Sequence, residues 1–336
     1  MSFVLLLGGL SLVIALALGP IVIPVLRRLK FGQRVRSDGP SQHLQKSGTP
    51  TMGGIIFILS TTVAVLFGIF MLGDRPELGT RVEGLVVLLV LVGFGTIGFL
   101  DDFIKIALKR PLGLRAREKL LGQILIAVAL AAVAVFSLGR GTDIVIPFSG
   151  CFVPGGMVIE LGWWLFLAFT VFVLLGTTNA VNLTDGLDGL ASGLMVIAAL
   201  GFAVIAVVSG HYWVALVLGA IAGGCLGFLY YNWYPARVFM GDTGSLALGG
   251  GLAAAAVLTR SELFLVIIGG MFVIETLSVI AQVFSYQVFR RRVLRMAPLH
   301  HHYELSGWSE TRVVLTFWVA GLILVAVGLA GIYRLG

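Results

Sequence analysis

The sequence predicts an all-α polytopic integral membrane protein with about ten transmembrane helices, and three observations carry that prediction. Hydrophobic residues make up 58% of the chain and charged residues only 12%. A soluble domain needs about 25% charged residues to cover its surface, so these 336 residues cannot form the soluble domains that their number would otherwise suggest. The apolar residues fall in runs long enough to cross a hydrocarbon core of ~30 Å as helices of roughly 20 residues. The alternation of a transmembrane barrel is absent, and backbone groups in hydrocarbon must pair within their own segment.

Apolar runs bounded by charge place the spans at about 3–26, 52–73, 84–100, 120–138, 163–181, 190–209, 213–231, 245–259, 262–289 and 313–333. The first is too long for a signal peptide and lacks its basic flank. The ninth would be ~42 Å long as one straight helix and contains Gly269 and Gly270, which predicts a tilt or a bend. Between the fourth and fifth spans, alternation around Ile144, Ile146 and Phe148 predicts a short hairpin. Gly219, Gly223 and Gly227 form a stripe for close packing, either within the bundle or between the subunits of a homodimer. Cys225 lies in an apolar run and Cys151 in a loop, so no disulfide is expected. With no inverted repeat and no loop beyond about 25 residues, 1–336 reads as a single integral-membrane domain.

The loops divide into two sets. Segments 27–51, 101–119, 182–189, 232–244 and 290–312 hold 18 of the 23 basic residues, among them Arg27, Arg28, Lys30, Lys105, Lys109, Arg110, Arg290, Arg291 and Arg292. The other set holds Arg75, Arg81, Arg140, Arg260 and Arg334. The positive-inside rule places the first set in the cytoplasm and both termini in the periplasm. The net charge of +7 therefore reports orientation, and nucleic acid is not expected as a partner.

Side chains capable of chemistry gather on the cytoplasmic side. Asp101 and Asp102 follow the third span, against both the helix dipole and the positive-inside bias. That placement suggests a metal or proton-transfer role, although Lys105, one turn on, could simply pair with them. The glycine-rich run Asn182 to Gly189 sets Asn182, Asp185 and Asp188 in one short turn. Capping of the next helix by Thr184 or Asp185 accounts for only part of it. It lacks the length and closing Glu of an EF-hand loop. In Phe239-Met-Gly-Asp-Thr-Gly244, Gly241 and Gly244 flank Asp242 just before a helix, which fits either an ordinary N-cap or an anion site with a carboxylate for its counter-cation. Phe239 offers either interface packing or a stacking face. His300, His301 and His302 are consecutive, so they cannot all face one ion, and one or two donating to phosphate fits better. Lys46 and Lys119 are either positive-inside lysines or phosphate contacts. Glu275, alone within the ninth span, is read as bonding to a neighbouring helix.

Taken together, His43 through Gly54, Asp101 through Lys105, Asn182 through Gly189, Phe239 through Gly244 and Pro298 through Glu304 resemble the motifs of the polyprenyl-phosphate N-acetylhexosamine-1-phosphate transferases, in order and over nearly the whole chain. The stretches Thr49 to Gly54 and Pro298 to Glu304 are similar to those of the muramoyl-pentapeptide branch. The resemblance implies transfer of phospho-MurNAc-pentapeptide from UDP-MurNAc-pentapeptide to undecaprenyl phosphate, giving lipid I and UMP, with Mg²⁺, at the cytoplasmic face of the bacterial inner membrane. It implies Asp242 as principal metal ligand, Asp101 in support, and Asp102 as base or orienter for the lipid phosphate. Lys46, Lys119, Asn232, His300 and His301 would hold phosphates or sugar. Asn182, Leu183, Asp185, Asp188, Gly241 and Phe239 would frame the uridine, and a bent ninth span would open a groove for the isoprenoid. The rival readings are a UDP-GlcNAc transferase of the same superfamily and an anionic-metabolite transporter. A transporter needs midplane polar groups, and the span interiors offer Glu275 as their one charge.

Overall fold

The computed structural model describes residues 2–29, 46, 48–73, 75, 78–108, 110, 112–150 and 156–333. Lys30, Asp38, His43, Lys109, Cys151 and Arg334 lie outside the described residues. The chain runs α1 (Ser2–Arg28), α2 (Gly54–Leu72), α3 (Arg81–Ala107) and α4 (Ala116–Ala132), which a π-helical turn at Val133–Ser137 extends. The strands β1 (Asp143–Val145) and β2 (Val158–Glu160) follow, then α5 (Gly162–Thr184), α6 (Leu190–Val208), α7 (Tyr212–Asn232) and α8 (Gly241–Leu258). The chain closes with α9 (Phe264–Ile268), α10 (Gly270–Phe289), α11 (Leu299–Glu304) and α12 (Glu310–Ala330).

Among the described residues, nine helices are long and apolar enough to cross a membrane, so the protein is an all-α, multi-pass membrane protein. The tenth expected span is α8, rich in glycine and alanine, in which every residue from Thr243 to Leu258 is buried. It packs against α2, α3, α5, α6 and α7. A helix surrounded by protein needs small residues for close approach rather than a lipid-soluble surface. Gly98 of α3 shows how close that approach is: a Cβ there would overlap the Asp242 carbonyl. This contact lies one turn before Asp101 and Asp102, so it sets the depth at which the two helices meet.

The glycine stripe of α7 is spent inside the bundle. A Cβ on Gly223 would collide with the Gly8 carbonyl of α1, and one on Gly219 would stand 2.6 Å from Val4 Cγ1. The stripe is therefore not free to join two subunits. Cys225, on the same helix, is buried as a free thiol. The expected hairpin forms, with Asp143 opposite Glu160 and Val145 opposite Val158 in antiparallel register.

The ninth apolar run is interrupted at Gly269, which separates α9 from α10. Beyond Glu275, none of the residues of α10 is buried, and Leu277, Ile280, Val283 and Phe284 are exposed. The chain then doubles back: the Gln282 amide donates to Leu294 O and accepts from the backbone of Val293 and Leu294.

Three helices run past the ends expected from hydrophobicity, two of them through charged residues and α5 through the polar Asn182. α3 continues to Ala107, α5 continues to Thr184, and α8 starts at Gly241. Charged side chains paired with one another need not leave the helix, so hydrophobicity alone marks these ends too early. The polar network of the motifs sits at one end of the bundle. At the other end, Arg140 pairs with Glu262, Arg260 with Asp143 (2.8 Å), and His211 with Glu83 (2.9 Å).

Candidate active site

Three carboxylates meet where α3 crosses the start of α8. One oxygen each from Asp101, Asp102 and Asp242 lies within 4.8 Å of the others, a spacing that a single cation can bridge. Asp101 and Asp102 are buried, at 2% and 5% exposure, whereas the Asp242 side chain keeps 18%. Asp242 is thus the acid that faces the opening.

Each acid is held differently. Asp102 Oδ2 accepts from Thr243 N (2.9 Å) and Thr243 Oγ1 (2.8 Å), so a carboxylate of α3 caps the first turn of α8. The helix start that looked free to take an anion already holds one. Asp101 Oδ1 accepts the Leu114 N–H at 2.9 Å, and Oδ2 pairs with Lys105 at 2.5 Å, the i,i+4 partner. Lys105 also reaches Asp242 Oδ2 at 3.0 Å, and Lys119, from the first turns of α4, reaches the same oxygen at 2.8 Å. Asn182, in the last turn of α5, donates to Asp242 Oδ1 and to Ser245 Oγ, both at 2.8 Å. Three carboxylates against two ammonium groups leave one net negative charge. Ordinary capping by Asp242 does not occur: Met240 is the N-cap residue, and its own side chain makes no capping bond.

Gly241 is required here twice over. Its φ is +69°, a conformation that L side chains rarely adopt, and a Cβ would stand 2.5 Å from Asp102 Oδ2 and 2.7 Å from Thr51 Oγ1. The segment before it is clamped to the first motif by main-chain bonds. Phe239 N–H donates to Pro50 O, Gly53 N–H donates to Phe239 O, and Gly54 N–H donates to Met240 O. The Phe239 ring is half-buried.

A second network stands beside the carboxylates. Lys46 Nζ lies 2.7 Å from Asp188 Oδ1 and 2.6 Å from Glu310 Oε1. Glu310 Oε1 also accepts the Asp188 N–H, and Asp188 Oδ2 accepts the Ala236 N–H. Burial disfavours the charged ammonium of Lys46, but the carboxylates of Glu310 and Asp188 outweigh it and raise its pKa above the usual lysine value. Asp185 stands at the C-cap of α5. Removal from water, followed by the charges of Asp242, Asp102 and Asp188, pushes its carboxyl well above the ordinary range. Neither Thr184 nor Asp185 caps α6, which begins behind Gly189 at φ +80°.

Two candidates are wholly internal. Asn232, 2% exposed, accepts from Gly189 N and Ser192 Oγ and donates to Val238 O, which ties the turn at 182–189 to the segment before α8. His300 is fully buried in α11, while His301 Nδ1 contacts Glu304 Oε2 at 2.7 Å. His302 Nδ1 accepts the Arg295 N–H. Leu183 is half-buried in the last turn of α5. The structure therefore joins Asp101, Asp102, Asp242, Lys119 and Asn182 in one centre. Lys46 and Asp188 form the adjoining network, and Asn232 and His300 lie behind. Glu310 was not singled out from sequence, where it reads as a helix-start acid. Lys105 was noted only as a neutraliser, and its i,i+4 spacing to Asp101 was the available signal.

The carboxylate and lysine cluster inside a helical membrane bundle is suited to holding a cation and phosphate groups, and the comparisons give its class, a membrane-embedded transferase. Accordingly, the family model described as Glycosyl transferase family 4 matches residues 84–260, from α3 to the end of α8. Phospho-N-acetylmuramoyl-pentapeptide-transferase signature 1 matches residues 46–58. A protein of Desulforudis audaxviator named phospho-N-acetylmuramoyl-pentapeptide-transferase is 66% identical over 99% of both chains. Proteins of the same name from Pelotomaculum thermopropionicum and Desulforamulus reducens are 61% and 59% identical, covering 97% and 98% of this chain and 97% and 96% of their own. The chain belongs to the phospho-N-acetylmuramoyl-pentapeptide-transferase family.

Proposed function

We propose that the protein transfers phospho-MurNAc-pentapeptide from UDP-MurNAc-pentapeptide to undecaprenyl phosphate, releasing UMP and forming lipid I, the lipid-linked precursor of peptidoglycan. The whole chain acts as one membrane domain of the bacterial inner membrane, with its site on the cytoplasmic face. The observation that carries the reading is the convergence of Asp101, Asp102 and Asp242 with Lys105 and Lys119 in a chain of this family.

An oxygen of the lipid phosphate attacks the sugar-linked phosphorus of the nucleotide. The new P–O bond forms as the bridging P–O bond breaks, and UMP leaves with the bridging oxygen. Phosphoryl transfer depends chiefly on positioning and charge neutralisation. The acceptor phosphate loses its second proton near pH 6, so Asp102 needs only to orient it or take up a weakly held proton. The three-carboxylate donor set fits Mg²⁺, which prefers oxygen ligands and keeps several waters. Asp242 and Asp101 would hold it, and when bound it would neutralise charge growing on the diphosphate. Lys105 and Lys119, on the open side of Asp242, are positioned to shift toward substrate phosphates. Asn182, Leu183, Asp185, Asp188, Gly241 and Phe239 frame the uridine. Lys46, Asn232, His300 and His301 hold the phosphate and sugar region directly or through that frame. The exposed apolar face of α10 beyond Glu275 receives the isoprenoid.

The deciding experiment supplies purified protein with undecaprenyl phosphate, Mg²⁺ and either UDP-MurNAc-pentapeptide or UDP-GlcNAc. UMP release from the first alone is expected. Release only from UDP-GlcNAc, or from neither, would overturn the reading.

A further inference from the structure

Glu275 is the charged residue of α10 and is fully buried among the described residues. An ionisable group inside a span costs a few kcal/mol unless something holds it. No lysine or arginine contacts it in the described structure. Both of its oxygens face one residue: Oε1 accepts the His300 backbone N–H at 3.2 Å, and Oε2 lies 3.2 Å from His300 Nδ1 as a close charge contact, with Oε2 and both ring nitrogens making no hydrogen bond among the described residues. That N–H is one of the donors that the first turn of α11 leaves without an intrahelical partner.

The far side of the imidazole is equally constrained. A Cβ on Gly186 would overlap His300 Nε2, so the ring rests directly on the turn at 182–189. The His301 ring centroid stands 4.2 Å from that of His300. The imidazole is thus held between α10, which leads to the exposed apolar face, and the turn that carries Asp185 and Asp188.

We propose that Glu275 is a positioning residue for the transfer reaction. It holds the proton of His300 on Nδ1, keeps Nε2 toward the turn, and fixes α11 against that turn. This inference rests on the transferase reading given above. A carboxylate that orients a metal-ligating histidine is worth on the order of 10- to 100-fold in activity, and the same scale is expected where the oriented imidazole faces a substrate-binding turn.

The test is a double-mutant cycle on the full chain, with UMP release as readout. Glu275→Gln keeps the size of the side chain and an acceptor for the backbone N–H. It is expected to lower kcat by ~10- to 100-fold while the KM for the nucleotide stays within about twofold. In a His300→Asn background the same substitution is expected to cost less than about twofold, because its effect runs through the imidazole. Losses that multiply in the double variant would overturn the proposal, as would an unchanged kcat in Glu275→Gln. Should Glu275→Gln fail to fold, Gly186→Ala displaces the ring from its other side. It must then show the same kcat loss and the same non-additivity with His300→Asn, and independence would overturn the proposal. A parent protein that releases no UMP refutes the transferase reading itself, an outcome separate from any pattern within the cycle.

Discussion

Asp242 differs from the other two acids in what surrounds each of its oxygens. Two ammonium groups share Oδ2, and an amide holds Oδ1, while Asp101 and Asp102 are each tied to a backbone N–H. Asp242→Asn removes the charge that both lysines face but keeps the shape. It should lower UMP release by about 10²- to 10³-fold, the usual scale for losing a preorganised electrostatic partner, with the melting temperature of the purified protein little changed. Gly241→Ala should act oppositely, through structure. A side chain there meets Asp102 and Thr51 at a positive φ, so about 1–3 kcal/mol of strain should appear as a lower melting temperature as well as lost activity. At this scale the sequence reveals acids placed against dipole and orientation bias, and Asp101 and Asp102 stand out for that reason. It does not reveal which side chains are consumed by other side chains. Lys46 reads from sequence as an orientation lysine or a phosphate contact, and its two carboxylate neighbours, Asp188 and Glu310, appear only in the structure.

Helices meet where small residues let them, and that rule decides two pairings. Gly98 brings α3 onto α8, and Gly223 brings α1 onto α7. Gly223→Leu should separate α1 from α7 and lower thermal stability by about 1–3 kcal/mol or more, measured as a loss of monodisperse protein on heating in detergent. The oligomeric state should not respond, because the stripe faces α1. Element existence was legible throughout: every expected span corresponds to a helix, and even the hairpin at Asp143–Val145 follows from alternation. Element ends were less legible. Asp101 and Asn182 sit within helices that hydrophobicity would have closed earlier, since their polar groups are satisfied across the bundle. The break at Gly269 was foreseeable from length against membrane thickness.

The two ends of the molecule have different chemistry. One gathers the site, and the other is pinned by ion pairs, among which Arg140 and Glu262 are both buried. Burial lifts the Glu262 carboxyl to about 7 despite Arg140 beside it. The folded protein therefore keeps a proton that the unfolded chain releases near 4.5, so this group's contribution to stability falls as pH rises between those values and is flat above. Glu262→Gln mimics the protonated acid. Its melting temperature should match the parent's at the acid end of that window and exceed it at the neutral end, and a parallel pair of curves would refute the shift. Chelation should abolish UMP release, and added Mg²⁺ should restore it with no change in fold by circular dichroism. Whole-molecule architecture was the most legible level, because a 12% charged fraction admits few alternatives to a membrane bundle. The gathering of distant loops into one centre was not, since α3 and α8 are separated by more than a hundred residues and meet only through packing.

The burial of α8 along its whole length has one more consequence. A water-filled passage beside this central helix would need polar, accessible residues on it, and between Thr243 and Leu258 it offers none that solvent reaches. The central helix is a solid axle for the bundle, and the carboxylate centre at its start is approached from that end and not along its length.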